Sequence, residues 1–304
     1  MYIKLLGCAL VVRKDKEREK MLHFTSFNRF LRPAIATLGV ASLTTTRLVS
    51  STASSSPVVV DSVVIYQYES CPFCNKLRAY LDFAKLPYTV VEVDPLFKRE
   101  IAWSKDYQKV PIAIIDGRRV TDSGAIISKL DTARSLSGFK SVSDGSDIEK
   151  EFLKWTDEVW VRLLTINIYR TQSESIAAFD YMTKRNFPSW SAVPAKYFGA
   201  LVHAHLVQGR LKKKLGVDDE RKALYEAAQK WVDAIEARGG DYLGGKEPNL
   251  ADLAIFGTFR AIEQLDAAKD LVANTRIGPW AERMKEKVGK SALQHRVFES
   301  PLLS

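Results

Sequence analysis

Hydrophobic residues along the chain are grouped in a way that predicts alternating strands and helices between residues 62 and 131. The β-branched and aromatic run SVVIYQY (62–68) predicts a buried strand, and CPFCNKLRAYLDFAK (71–85) carries its apolar residues at helical spacing. A second strand is predicted over LPYTVVEVD (86–94), a short helix over PLFKREIAWS (95–104) and a third strand over VPIAIID (110–116). GRR then marks a turn, RVTDS ends a fourth strand, and SGAIISKLD (123–131) predicts a closing helix.

This order of elements is that of a thioredoxin-like α/β unit, which we assign to residues 61–134. A Ser- and Gly-rich linker is predicted over 135–147, a helical domain over 148–290 and a tail over 291–304. The helical domain has two apolar stripes, made of Ile148, Phe152, Trp155, Val159, Leu163 and Ile166 in one and Leu224, Ala228, Trp231 and Ile235 in the other. We interpret these stripes as the core of a helical bundle.

Two helix starts in the helical domain carry capping residues. In PNLADLAIFGTFRAI, Asn249 can accept from the N–H three residues on, and Asp252 can reach back to the N–H of Asn249. The helix that follows is apolar on nearly all sides, which predicts a position at the centre of a bundle, and glutathione transferases have such an N-capped core helix. Asp218 or Asp219 is predicted to cap the helix of the second stripe.

The net charge of +9 is concentrated at the start of the chain. Residues 1–60 hold nine Lys or Arg against three acidic residues, whereas 61–304 hold 36 against 33. No basic stripe is interleaved with aromatic residues, so a nucleic acid is not expected as a partner. Residues 21–60 lack acidic residues and hold arginines among Ser, Thr and Ala, which is typical of an organellar transit peptide.

We therefore predict that residues 1–60 are a leader that directs the protein to the mitochondrion. A plastid, or the Golgi or another membrane, is the alternative destination, and a disordered leader without an address is the alternative role. The most apolar run, residues 34–43, is much shorter than the ~20 residues that a membrane span needs.

The three cysteines of the chain are Cys8, in the leader, and the pair Cys71 and Cys74. At the start of a helix, Cys71 is predicted to be a thiolate nucleophile, and Cys74, one turn on, to resolve a mixed disulfide. The alternatives are two buried structural residues, or an iron–sulfur or haem partner held jointly with glutathione. No protein metal site is predicted, because the histidines lie elsewhere without the spacing of a zinc site.

Two further features indicate a glutathione site. A cis peptide between Val110 and Pro111 would expose the backbone of Val110 to the extended cysteinyl part of glutathione, unless Pro111 is an ordinary edge-strand proline. Ser123, at a helix N-terminus, can hold the γ-glutamyl carboxylate, and Asp122 can pair with the neighbouring ammonium. A plain N-cap is the alternative for Asp122 and Ser123.

YQYESCPFCNKLRAYLDFAKLPYTVVEVDP, KVPIAII, TDSGAIIS, GGKEPNLADLAIFGTFRAIE and IGPW resemble the membrane-associated prostaglandin E synthase type 2 family. The resemblance implies a thioredoxin-like domain joined to an all-α, glutathione-transferase-like domain, often as a homodimer. It also implies a catalytic centre at Tyr68, Cys71 and Phe73, and glutathione contacts at Val110, Asp122 and Ser123. Haem, bound with glutathione, is an implied further cofactor, and peripheral membrane association is a further implication.

The resemblance further implies an isomerase that converts the prostaglandin H endoperoxide to prostaglandin E through the Cys71 thiol. Two alternatives stay open at this point. A glutathione-dependent disulfide oxidoreductase would use Cys71 as nucleophile and Cys74 to resolve, on a small disulfide substrate. A non-enzymatic haem or iron–sulfur carrier would need Cys71 but not Cys74.

Overall fold

The computed structural model describes residues 60–95, 97–186, 197 and 208–298, with the backbone alone at 182–186 and 208. The predicted leader up to residue 59 and the last six residues of the predicted tail lie outside this range. Mitochondrial localisation therefore stays a prediction, as do the domain boundaries, the homodimer and the membrane association.

A mixed five-stranded sheet combines four strands from the first part of the described chain with one strand from its end. Its strands are β1 (Val63–Gln67), β2 (Tyr88–Glu92), β3 (Ile112–Ile115), β4 (Arg118–Thr121) and β5 (Leu293–Val297), in the spatial order β4-β3-β1-β2-β5. β1 pairs in parallel with β2 and antiparallel with β3, β3 pairs antiparallel with β4, and β2 pairs in parallel with β5. Strands β1 to β3 are nearly continuous runs of buried Val, Ile and Tyr, as a sheet covered on both faces requires.

Helices α1 (Pro72–Ala84) and α2 (Ser123–Leu136) belong to the same unit as the sheet. The helical part then contains α3 (Asp147–Trp155), a π-helical turn (Thr156–Trp160), α4 (Val161–Ile168), α5 (Gln172–Asn186), α6 (Gln208–Leu215), α7 (Glu220–Ala237), α8 (Leu250–Arg260), α9 (Asp266–Asn274) and α10 (Ile277–Val288). The predicted order, a thioredoxin-like sheet unit followed by an all-α region, is therefore confirmed.

The two predicted apolar stripes lie in the core of the helical part. Leu224, Ala228, Trp231 and Ile235 are all buried, whereas Ile148, Trp155 and Val159 of the first stripe are half-buried and pack against the core. Trp231 contacts Phe152 and Trp280 edge to face, with ring centroids 5.1 and 5.3 Å apart. Both predicted caps form, since Asp219 caps α7, and Asn249 with Asp252 makes a capping box at the start of α8.

Helix α1, which follows the cysteine turn, packs on the core helix α8. The backbones approach closely at Gly257, where a Cβ atom would lie 2.6 Å from the Asn75 carbonyl oxygen. On another side of α1, the buried ammonium of Lys76 pairs with Asp157 in the π-helical turn, at 2.8 Å. These contacts fix the helix that carries Cys74 against the helical part.

Three local differences separate the sequence interpretation from the structure. The helix predicted over residues 95–104 forms only a short 3-10 turn (Arg99–Ile101), because Lys98 adopts a left-handed conformation that interrupts it. The closing helix continues past its predicted end to Leu136, and Ser135 and Ser137 donate to carbonyl groups four residues back. The predicted tail contains a strand, β5, for which no element was predicted.

Candidate active site

Cys71 lies between strand β1 and helix α1, where the chain changes from extended to helical. Its backbone is extended (φ −72°, ψ 122°) and it is the N-cap of α1, which begins at Pro72. Proline suits this position because the first N–H groups of a helix have no partner within the helix. The position at a helix N-terminus agrees with the predicted thiolate at Cys71, which stays a prediction.

Cys71 and Cys74 are not in a disulfide and both are buried, with exposed fractions of 1% for Cys71 and 0% for Cys74. They share one apolar cluster with Tyr68 and Val110, and Phe73 packs against it. The structure therefore brings the four predicted catalytic residues together with one predicted glutathione contact. Because the Cys71 thiol is covered, its reaction with any substrate requires the surrounding chain to move.

The Val110–Pro111 peptide bond is cis and directly precedes strand β3. Pairing of β3 with β1 and β4 begins at Ile112, so Val110 lies outside the registered part of the sheet. Both Val110 and Pro111 are buried. The position agrees with the predicted backbone contact to glutathione, which stays a prediction.

Asp122 and Ser123 form the start of helix α2. Asp122 is exposed, has a positive φ of 72°, and accepts through Oδ1 from the N–H groups of Gly124 and Ala125 at 2.9 and 3.2 Å. Ser123 is buried at the first helical position. Asp122 is thus an N-cap in the structure, and its role toward glutathione stays a prediction.

Tyr107 is a residue of this region that the sequence interpretation missed. Its ring packs against the cluster that holds Cys71 and Cys74. Burial raises the pKa of Tyr107 to about 12, with further contributions from the Asp122 carboxylate and the two cysteines. The phenol therefore stays protonated at neutral pH and lies between the start of α2 and the thiol pair. Its place on the loop just before Val110 was the available sequence signal.

A buried polar network lies behind the cysteine turn. Arg78 and Arg296 each donate to Glu69 Oε2, at 2.7 and 2.8 Å, and Arg296 also contacts Glu92. The Gln67 amide donates to both carboxylates, at 3.2 Å to Glu69 and 2.9 Å to Glu92. Burial opposes ionisation of Glu69, but the two guanidinium groups outweigh it and lower the pKa of Glu69 to about 2. The network is therefore charged at neutral pH.

An apolar cleft lies beside the cysteine turn. Ser70 and Pro72, the two chain neighbours of Cys71, form one wall, and the helical part forms the rest with Val161, Leu164, Ile168, Tyr169, Ile262 and Leu265 among others. Its volume of about 60 Å³ is well below the roughly 300–1,000 Å³ of a typical small-molecule site, so its apolar lining has room for only a short part of a hydrocarbon chain.

Sequence comparisons extend over most of the chain. The family described as "Glutathione S-transferase, N-terminal domain" matches residues 65–138. Prostaglandin E synthase 2 of Danio rerio is 37% identical over 268 residues, which cover 74% of this chain and 70% of that protein. Prostaglandin E synthase 2 of Mus musculus is 36% identical over 285 residues, with 78% and 73% covered. The chain belongs to the prostaglandin E synthase 2 family.

Solved structures give the same fold as this family member. Glutathione transferase GSTFuA3 from Phanerochaete chrysosporium has a TM-score of 0.54 at 16% identity and covers 75% of this chain and 97% of its own. The glutathione S-transferase CsGST83044 of Ceriporiopsis subvermispora, in complex with glutathione, has a TM-score of 0.51 at 14% identity, with 76% and 99% covered. At these identities the likeness establishes the architecture.

The residues of this family member fit the two implied cofactors differently. At the start of α2, Ser123 and the exposed Asp122 carboxylate are groups of the kind that the ends of glutathione require, whereas the N–H groups of Gly124 and Ala125 already donate to Asp122. A haem iron would have to reach the sulfur of Cys71, which is covered, and haem binding stays a prediction. Within the described ranges, no three His, Cys, Asp or Glu residues converge as metal ligands.

The helices of this family member differ in length and in apolar character. None of those in the described part of the chain combines the length and the apolar character needed to cross a membrane.

Proposed function

We propose that this protein isomerises the prostaglandin H endoperoxide to prostaglandin E through the Cys71 thiol, with glutathione as a cofactor. The observation that carries the proposal is the position of Cys71, at the N-terminus of α1, between two residues that line an apolar cleft. The relatives named Prostaglandin E synthase 2 support the choice of substrate.

The proposed reaction needs no external oxidant or reductant. The Cys71 thiolate attacks the peroxide oxygen on the carbon that becomes the ketone, which forms an S–O bond and breaks the O–O bond. The other oxygen leaves as an alkoxide and takes a proton to become the hydroxyl group. Loss of the hydrogen on the first carbon as a proton then forms the C=O bond, breaks the S–O bond and returns the thiolate.

The aromatic residues near Cys71 each have a role in the proposed reaction. Tyr68 and Phe73 provide an apolar wall and a phenol beside the sulfur. Tyr107, which stays protonated, can donate a hydrogen bond to the developing alkoxide. Admission of the endoperoxide to the covered thiol requires a displacement of the turn.

Glutathione is proposed to bind along the cis-proline side of the site. Its cysteinyl backbone would pair with Val110, its γ-glutamyl carboxylate would lie at Ser123, and its ammonium would lie at Asp122. The negative charge of the exposed Asp122 carboxylate, opposite to that of the ammonium, supports this orientation. When bound, glutathione supplies a second thiol next to Cys71.

A glutathione-dependent disulfide oxidoreductase is the second candidate, because one observation favours it. Cys74 lies one helical turn after Cys71 and is not in a disulfide, and the isomerisation has no use for it. In the oxidoreductase, Cys71 attacks a substrate disulfide, Cys74 displaces the reduced product to form a disulfide with Cys71, and two glutathione molecules reduce that disulfide as they are oxidised.

The test compares the full chain with its Cys71→Ser and Cys74→Ser variants in two assays. Conversion of the prostaglandin H endoperoxide to prostaglandin E is measured by mass spectrometry, and glutathione-linked disulfide reduction is measured by NADPH consumption with glutathione reductase. The proposal expects isomerisation to be lost in Cys71→Ser and kept in the matched Cys74→Ser variant.

Other outcomes distinguish the candidates. Disulfide reduction that depends on both cysteines, without isomerisation in the parent, would replace the first candidate by the second. Retention of isomerisation in Cys71→Ser would show that the site has been assigned to the wrong residue.

A further inference from the structure

Strand β5 returns the chain to the sheet after the whole helical part has been formed. It pairs in parallel with β2, with Tyr88 opposite Leu293 and Thr89 opposite His295. The buried carboxylate of Asp82, on α1, fixes the start of the strand through bonds of 2.9 Å from Ser291 Oγ and 3.0 Å from the N–H of Ala292. β5 is therefore anchored to the same helix that begins at the cysteine turn.

Arg296, near the end of β5, lies between two buried carboxylates. It donates to Glu69 Oε2 at 2.8 Å and contacts Glu92, while Arg78 is the second cation at Glu69. Two guanidinium groups thus balance two carboxylates in a place that is mostly shielded from water. Without Arg296 one negative charge would be left uncompensated directly behind the cysteine turn.

A continuous path of hydrogen bonds connects Glu69 with Cys71. The Asn75 amide donates to the carbonyl oxygens of Glu69 and Cys71, at 2.7 and 3.1 Å. Arg78 donates at 3.1 Å to the Asn75 side-chain oxygen and also holds the Glu69 carboxylate. The backbone on both sides of Ser70 is therefore tied to the network that Arg296 completes.

We infer that Arg296 is a positioning residue for the Cys71 thiol and acts through Glu69. Strand β5, which carries Arg296, is therefore part of the thiol site. The inference concerns the reactivity of the Cys71 thiol and deepens the proposed function. Only the expected change in the catalytic rate rests on that function.

The order of the strands in the sheet places Arg296 on a different side from the proposed glutathione contacts. β5 lies on the β2 side of β1, whereas Val110 and Asp122 belong to the β3 and β4 side. Loss of Arg296 is therefore expected to change the rate of the thiol step and to leave the KM for glutathione unchanged.

The experiment uses the full chain with Cys8→Ser and Cys74→Ser, which leaves Cys71 as its sole thiol. The rate constant for its reaction with 4,4′-dithiodipyridine is measured at neutral pH for this parent and for Arg296→Met and Arg296→Lys. His295→Ala, an exposed neighbour on the same strand, is the matched control. We expect about a tenfold loss of rate in Arg296→Met, since small misplacements of a reacting group have effects of at least this size.

Arg296→Lys is expected to recover part of the rate, because an ammonium keeps the charge but cannot bridge two carboxylates as a guanidinium does. His295→Ala is expected to react like the parent. Equal rates in the parent and Arg296→Met, including no reaction in either, would overturn the inference. If Arg296→Met fails to fold, the rate constant of Arg296→Lys decides between the outcomes. A rate constant equal to that of the parent would show that Arg296 has only a structural role.

The same Arg296 variants are made in the chain with all its cysteines and assayed for isomerisation and for disulfide reduction. A lower kcat with an unchanged KM for glutathione is expected. Failure of the proposed function has a different result, in which the parent converts no endoperoxide while Arg296→Met still slows the reaction of Cys71.

Discussion

Gly257 on α8 lies against Asn75 on α1 so closely that a Cβ atom on the glycine would stand 2.6 Å from the Asn75 carbonyl oxygen. The same atom would also lie 2.6 Å from Lys76 Cα, so the obstacle is backbone and cannot rotate away. Because Gly257 has no side chain, helix α1 can pack directly on the core helix α8 of the helical part.

Gly257→Ala is expected to lower the free energy of unfolding by about 1–3 kcal/mol, because the two helices must separate to admit the methyl group. Gly209→Ala is the matched control, since Gly209 is also helical and a Cβ there meets nothing within 4 Å. Urea unfolding of both variants measures the difference. Equal stability of the two would mean that the helices accommodate the methyl group without cost.

Asp122→Asn separates the two roles of Asp122. Asparagine keeps an oxygen for the N–H groups of Gly124 and Ala125 and tolerates a positive φ, but it removes the charge. We expect an unchanged melting temperature and about a tenfold higher KM for glutathione, the order of loss for one charge-assisted hydrogen bond.

Asp116→Asn is the control for the Asp122 experiment. Asp116 also has a positive φ, of 50°, and accepts from backbone N–H groups, at Asp61 and Ser62. It is expected to leave the KM for glutathione unchanged. A parent-like KM in Asp122→Asn would identify Asp122 as a helix cap alone.

Glu69 is expected to make the stability of the protein fall in acid. Its pKa is about 2 in the folded chain and ordinarily 4.5, so the folded state favours the ionised form. This contribution is present in full above pH 4.5 and is lost as the pH falls toward 2. Glu69→Gln should therefore lose less stability than the parent between pH 4.5 and 2.5, as measured by urea unfolding at each pH.

Asp252 has the opposite effect on the pH dependence of stability. The comparison of the parent with Glu69→Gln therefore has to remove the contribution of Asp252. Burial raises the pKa of Asp252 to about 6, against hydrogen bonds that favour ionisation, so its contribution to stability grows as the pH falls from 6 toward 3.8. Because Asp252 is present in both proteins, the difference between the parent and Glu69→Gln cancels it. Parallel curves for the two proteins would contradict the assigned role of Glu69.

Local patterns in the sequence were sufficient to predict most of the sheet unit and the caps. The capping box of Asn249 and Asp252 was predictable because its donors and acceptors lie within three residues of each other. The cysteine turn was predictable for the same reason, since strand, proline and helix follow one another directly.

The polar network behind the turn was beyond such patterns. Arg296 and Glu69 are separated by 227 residues, and LQHRV has no apolar alternation that marks a strand. β5 forms because an open edge at β2 and the carboxylate of Asp82 receive it, and both are properties of the folded chain. The role of Arg296 therefore became visible only in three dimensions.

Strand β5 also has a consequence for the order in which the protein is made. During synthesis, β1 to β4 leave the ribosome first and the helices follow, so the fifth strand arrives only after both. Until then the edge of β2 is unpaired and the Glu69 and Glu92 carboxylates lack one of their two cations. A nascent chain would thus complete the polar network behind Cys71 last, and a chain without β5 would carry the cysteine turn without that support.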